Sequence, residues 1–213
     1  MPFWITSDET LMTRVQTHAD ESAFGELVQR WQTRLEQASY RILNDRHRSE
    51  DLVQEAFTRL FLKRAQYRKQ AKFASYLWKI TLNLCQDELR RRVSRNKLID
   101  PLASLDTEQP LQSLEEGPDS EAETNEEAGV VKQAVAQLPD PVRMIVVMRH
   151  YHDMKFREIA EVLEIPEGTV KTRMTQGLAL LEKQLNPLFK NQVSPDKGPP
   201  NTNSTAAYEA SFK

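Results

Sequence analysis

Cysteine occurs once in this 213-residue chain, at Cys85, which excludes an internal disulfide and any cysteine-built metal centre. Its place inside a helical pattern makes it a small, half-buried packing residue. The four histidines, His18, His47, His150 and His152, share no ligand spacing, so neither a metal nor any other cofactor is expected. Only six glycines are present, and apolar residues recur mostly at three- and four-residue intervals, a pattern that predicts an all-α fold. Long apolar runs are missing as well. No stretch of about 18 such residues exists to cross a bilayer, so membrane insertion is not expected. The opening Met1-Pro2-Phe3-Trp4-Ile5-Thr6-Ser7-Asp8 lacks the basic region and apolar core of a signal peptide, and the expected location is cytoplasmic.

Net positive charge is also lacking: the formal value is -2, unpromising for a protein whose partner would be a polyanion. The distribution changes that reading. Between Leu98 and Val131 there is no Lys or Arg, while Asp100, Asp106, Glu108, Glu115, Glu116, Asp119, Glu121, Glu123, Glu126 and Glu127 all fall there. Just before it stands Arg90-Arg91-Arg92-Val93-Ser94-Arg95-Asn96-Lys97, a basic end beside an acidic segment. The length and the 39% hydrophobic content suit two small helical domains. The expected division is a first domain over 8–97, a flexible acidic linker over 98–127, a second domain over 128–185 and a disordered tail over 186–213.

In the first domain, Phe24, Leu27, Val28, Trp31, Leu35, Ala38 and Ile42 mark a long amphipathic helix introduced by Asp20-Glu21-Ser22. After a polar break at Asn44 to Arg48, Ser49 reads as the N-cap of a second helix. Leu52, Ala56, Phe57, Leu60 and Phe61 turn inward there, and Asp51, Gln54, Glu55 and Arg59 turn outward. A basic connector, Lys63 to Lys72, leads to a third helix starting near Ser75. Leu77, Ile80 and Leu84 form its apolar stripe, with Tyr76, Trp78, Lys79, Asn83, Gln86 and Asp87 around it. Aromatics interleaved with cations and amides suit single-stranded DNA, because bases stack on rings while cations hold the backbone. Core aromatics beside a solvated arginine run would give the same pattern.

The second domain opens with Val131, Ala134, Val135 and Leu138 on one helix; Asp140 then caps the next, with Pro141 at its first position. Glu158 to Leu163, Glu164-Ile165-Pro166 and Glu167 to Arg173 read as helix, tight turn and helix. Val170, Met174, Leu178 and Leu181 supply a buried stripe to the second of these, leaving Thr169, Lys171, Thr172, Arg173, Thr175 and Gln176 for phosphates and base edges in a major groove. This is a helix-turn-helix, although an ordinary packed helical pair would share its periodicity.

Taken together, Asp51-Leu52-Val53-Gln54-Glu55-Ala56-Phe57, Phe73 to Asn83, Asp87 to Arg91, Leu138-Pro139 to Tyr151 and Glu158 to Arg173 occur in the order found in one family. The chain resembles a bacterial RNA polymerase sigma factor of the extracytoplasmic-function group within the sigma-70 family. The resemblance implies a promoter-specificity subunit that is not an enzyme, with core RNA polymerase and promoter DNA as partners and an anti-sigma factor as a further one. It implies that Asp51, Gln54 and Glu55 dock on the polymerase. It assigns Tyr76, Trp78, Lys79, Asn83 and Asp87, with phosphate contacts from Arg90, Arg91, Arg92 and Arg95, to the melted minus-10 element. Thr169, Lys171, Thr172, Arg173, Thr175 and Gln176 are assigned to the minus-35 duplex. Lys155 departs from the family's small hydroxyl cap, and Gln176-Gly177 stands where an Arg-Ala pair is common. A dimeric helix-turn-helix regulator acting without the polymerase is the alternative, and it leaves the aromatic-basic helix and the acidic linker unexplained.

Overall fold

The computed structural model describes residues 6–68, 72–99 and 126–190, with backbone alone for 96–99, 126–127 and 187–190. All regular structure among the described residues is helical. Four helices come from the first domain: α1 (Asp8–His18), α2 (Glu21–Leu43), α3 (Arg46–Leu62) and α4 (Phe73–Ile99), with a single 3-10 turn at Arg64–Gln66. The second contributes α5 (Glu126–Ala136), α6 (Asp140–Tyr151), α7 (Phe156–Leu163) and α8 (Glu167–Lys190).

Helix α1 carries only a weak apolar stripe, and the sequence reading does not resolve it. Tertiary contacts hold it instead. Ser7 caps it by accepting from the Thr10 amide, and Leu11, Met12 and Val15 are buried against α2. Asp8 pairs with Arg30 at 2.7 Å and accepts from the Trp31 indole at 2.8 Å. Helix α2 begins where Asp20 accepts from the Ala23 amide, in the expected segment. Helix α3, however, starts three residues before Ser49. Asp45 is the cap, accepting from the Arg48 amide at 2.9 Å, while the Ser49 hydroxyl is buried and donates back to the Asp45 carbonyl. A carboxylate preceding the first turn suits the positive end of the helix dipole, so the cap moved to Asp45.

Helix α4 is the centre of the first domain. Besides Leu77 and Leu84, it buries Phe73, Trp78, Leu82, Cys85 and Leu89, because α2, α3 and α7 all pack on it. Trp31 meets Phe73 and Trp78 edge-on at 6.0 and 6.3 Å, giving this core an aromatic middle. Cys85 is fully buried, not half-buried. Its thiol sits 3.7 Å from the Ser39 hydroxyl, and burial pushes its pKa up to about 12.

The second domain's share of the core is aliphatic. Val142, Ile145, Val146, Val147 and Met148 of α6 meet Ile159 and Val162 of α7 and Val170 and Met174 of α8. Pro139 is the N-cap residue of α6, so Asp140 and Pro141 both lie one position further into the helix than expected. The α8 stripe also differs from the expected one: Leu178 is 40% exposed, and Gly177 is buried in its place. Gly177 lies seven residues from Val170, almost two whole turns, whereas Leu178 is rotated well off that face. A Cβ at Gly177 would come within 2.7 Å of Val146 and 2.9 Å of Val142, so only glycine lets α6 and α8 approach this closely. Helix α8 continues to Lys190, into what the sequence reading assigns to the tail. The expected linker and tail otherwise fall outside the described residues. No helix among the described residues is long and apolar enough to cross a membrane.

Candidate nucleic-acid interface

The helix-turn-helix is built as its spacing suggests. Helix α7 ends at Glu164, which takes a left-handed conformation (φ 55°) so that its amide and that of Ile165 both return to the Ala160 carbonyl. The Pro166 carbonyl then accepts from Thr169 and Val170 as α8 begins. At the start of α7, Lys155 has no side-chain acceptor to offer. Half of a capping box forms all the same, because the Lys155 amide donates to the Glu158 carboxylate at 3.0 Å. That bond, then Lys72, hold the Glu158 carboxyl below its ordinary range despite some burial.

On the outer face of α8, Lys171, Thr172, Thr175 and Gln176 are exposed, and Thr169 and Arg173 are half-buried. Thr172 and Thr175 donate to the Gly168 and Lys171 carbonyls, and Lys171 pairs with Glu167 at 2.8 Å within the helix. Such contacts on an exposed helix surface are weak, on the order of 0.5 kcal/mol, so phosphates or base edges can displace them. This face is open.

The residues assigned to single-stranded DNA lie in two different settings along α4. Asn83 is exposed, and Asp87 pairs loosely with exposed Arg90 at 3.6 Å; Arg91 is exposed as well. Nearer the start of the helix, Tyr76 is half-buried, tilted against Tyr67 at 5.5 Å. Trp78 is only 2% exposed, packed between Trp31 and the His152 ring, whose centroid is 4.9 Å away. A base cannot stack on Trp78 in this arrangement. Lys79 is paired with Glu164 of the helix-turn-helix turn at 2.6 Å.

Two arginines of the basic run are also committed. Buried Glu88 gathers Arg48 at 2.9 Å, Arg95 at 3.2 Å and Arg92 at 3.4 Å, and Arg92 further reaches Asp45 and the Leu43 carbonyl. Burial alone would raise the Glu88 pKa, but the hydrogen bond and charge of Arg48, with Arg92 behind them, hold it below the ordinary value. The cluster ties the α3 start to α4, which spacing along either helix alone cannot reveal. Three cations on one carboxylate leave a positive surplus beside Arg90 and Arg91.

On α3, Asp51 and Gln54 are exposed, and Glu55 is drawn into a 2.6 Å pair with Arg59 one turn on. An apolar groove lined by Phe24, Phe57, Thr58, Phe61 and Leu62 continues this face, with Leu62 71% exposed.

The family description for region 2 of sigma-70 matches residues 27–95, and that for sigma-70, region 4 matches residues 129–181. The chain is 31% identical over 172 residues to the ECF RNA polymerase sigma factor SigW of Bacillus subtilis, covering 79% of this chain and 92% of that protein. It is 27% identical over 187 residues to the RNA polymerase sigma-H factor of Pseudomonas aeruginosa, covering 86% and 96% of the two. Among solved structures, CnrH in complex with the cytosolic domain of CnrY superposes with a TM-score of 0.60 at 20% identity, over 84% of this chain and 97% of that one. RpoE of Bartonella quintana, in complex with the anti-sigma factor NepR, gives 0.59 at 16% identity, over 76% and 96%. These two likenesses concern the fold.

Proposed function

The chain belongs to the extracytoplasmic-function group of the sigma-70 family, subunits that bind core RNA polymerase and direct transcription initiation, and from that premise we propose how its surfaces divide the work. The exposed carboxylate and amide of Asp51 and Gln54, with Glu55, dock on a basic surface of the polymerase through charge-assisted hydrogen bonds. Lys171, Thr172, Arg173, Thr175 and Gln176, with Thr169 near the helix start, read the minus-35 element as duplex from the major groove. Asn83, Asp87, Arg90 and Arg91 hold the minus-10 strand after it leaves the duplex, and Tyr76, Trp78 and Lys79 join them once uncovered. The strand is captured by exchanging base stacking in DNA for contacts on the protein. The protein supplies recognition and no catalytic chemistry, and it works in the cytoplasm. An anti-sigma factor is a further partner in this reading, since RpoE of Bartonella quintana, which shares the fold, was solved in complex with the anti-sigma factor NepR.

The observation that carries this reading is the pairing of two surfaces on one chain: an open basic helix-turn-helix face and an aromatic-basic α4. A dimeric regulator needs only the first. Run-off transcription with purified bacterial core polymerase on a promoter library tests it: discrete starts sharing two spaced upstream elements are expected, and absence of both core binding and starts would favour the dimeric regulator. Within that assay, Lys171→Ala with Arg173→Ala should weaken promoter selection about tenfold or more while polymerase binding stays intact, each lost base contact being worth roughly 1–3 kcal/mol. Asp51→Ala with Glu55→Ala should do the reverse.

A further inference from the structure

The outer face of α8 is divided by its chemistry. At about 100° per residue, Thr172, Gln176 and Ala179 run along one line of the helix, opposite the buried line of Val170, Met174 and Gly177. All three are exposed, with exposed Thr175 beside them. The cations of this stretch, Lys171 and Arg173, stand about 100° to either side of Thr172. The centre of the face is therefore uncharged and its flanks are basic. Side chains on the centre line of a helix in a major groove enter it deepest and meet base edges, while those on the flanks also reach phosphates.

The hydroxyl of Thr172 donates to the Gly168 carbonyl at 2.9 Å, and that of Thr175 donates to the Lys171 carbonyl at 3.1 Å. With both protons turned back onto the helix, these threonines offer methyl groups outward, as Ala179 does. The Gln176 amide has no hydrogen-bond partner among the described residues. It carries a donor and an acceptor side by side. On the major-groove edge adenine presents the complement, an N7 acceptor and an N6 donor, and thymine presents a methyl group. Guanine presents two acceptors, N7 and O6, which suit a guanidinium. Beneath Gln176 its O6 would face the amide oxygen or stay unpaired.

We propose that Gln176 is a specificity-determining residue of α8 and reads an adenine, with the methyl groups of Thr172 and Thr175 packed on thymine methyls beside it. The rise from Thr172 to Gln176 is about 6 Å, or roughly two base pairs at ~3.4 Å each, so the adenine and the thymine fall within about two positions of one another. The centre line of α8 thus selects A·T pairs. The inference rests on assigning α8 to the minus-35 duplex.

The test uses holoenzyme assembled from the full-length chain and purified bacterial core polymerase. It transcribes a pool of templates randomised across the minus-35 region and barcoded in the transcribed part. At one position the unaltered protein should favour adenine over guanine about tenfold. Gln176→Arg should move that position alone to guanine, and Gln176→Ala should flatten the preference there, with the rest of the element and the minus-10 preference unchanged. Gln176 is exposed, so neither change touches the core. Uracil in place of the neighbouring thymine removes only the methyl group and should lower transcription severalfold, a difference that Thr172→Ser should shrink. Selection of guanine by the unaltered protein, or the same base preferences in all three proteins at position 176, would overturn the inference while the minus-35 assignment stands. No starts from any template would overturn both.

Discussion

Helices α4 and α8 are both assigned to DNA in the proposed function, but their surroundings differ. The α8 face is solvated, its side chains engaged only with their own helix. The first half of α4 is enclosed by α7 and His152, and part of its arginine run is bound to Glu88. In the proposed reading the difference follows the two targets. A duplex exists before the protein arrives and can be met by a ready face, whereas a separated strand exists only after melting. A stacking surface exposed too early would attract nonspecific single strands.

Four changes break or sharpen this contrast. The largest effect is expected from Glu88→Ala, which leaves Arg48, Arg92 and Arg95 without the carboxylate that collects them and should destabilise the first domain by about 3 kcal/mol in urea unfolding. The second domain should keep its own transition. Gly177→Ala comes next: helix propensity favours it by up to about 1 kcal/mol, but a methyl driven into two β-branched valines costs roughly 1–3 kcal/mol, so a net loss near 1 kcal/mol is expected. Val146→Ala in the same chain should recover part of it, and a simple gain in stability from Gly177→Ala would show that α6 and α8 can move apart freely.

Acidification acts on the enclosed side alone. The His152 pKa is held down to about 4 by burial, then by Arg34 and Arg41 of α2, with Asp153 pulling the other way. Lys79 of α4 and Glu164 of α7 are the charged pair at the rim. Packing that accepts only the neutral ring contributes fully above the ordinary histidine value near 6.5, and that contribution is lost as pH falls from there toward 4. Stability in urea unfolding should decline between pH 7 and pH 5, and His152→Gln should flatten that decline. The smallest effect is expected from Arg157→Ala. Its partner Glu161 lies on the outer side of α7 and the pair is well exposed, so a stability change of only about 0.3 kcal/mol in urea unfolding is expected.

Local pattern carried much of this into view before any coordinates. The stripes of α2 and α3, the turn at Glu164-Ile165-Pro166 and the exposed side of α8 all follow from periodicity within one helix. What escaped depended on a second element. Helix α1 is fixed by Arg30 and Trp31 of α2, the α3 cap moved to Asp45, and Leu178 yielded its place to Gly177 because α6 approaches there. The same holds at the interface: Trp78 looked like a stacking platform and Arg92 like a phosphate ligand, and both proved occupied by residues distant in sequence.

The lone thiol has a consequence for signalling. With its proton held to a pKa of about 12, its sulfur beside Ser39 and no solvent contact, Cys85 carries almost no thiolate at neutral pH and offers oxidants no target. No second cysteine exists to resolve a sulfenic acid into a disulfide. Thiol chemistry within this chain is silent at neutral pH.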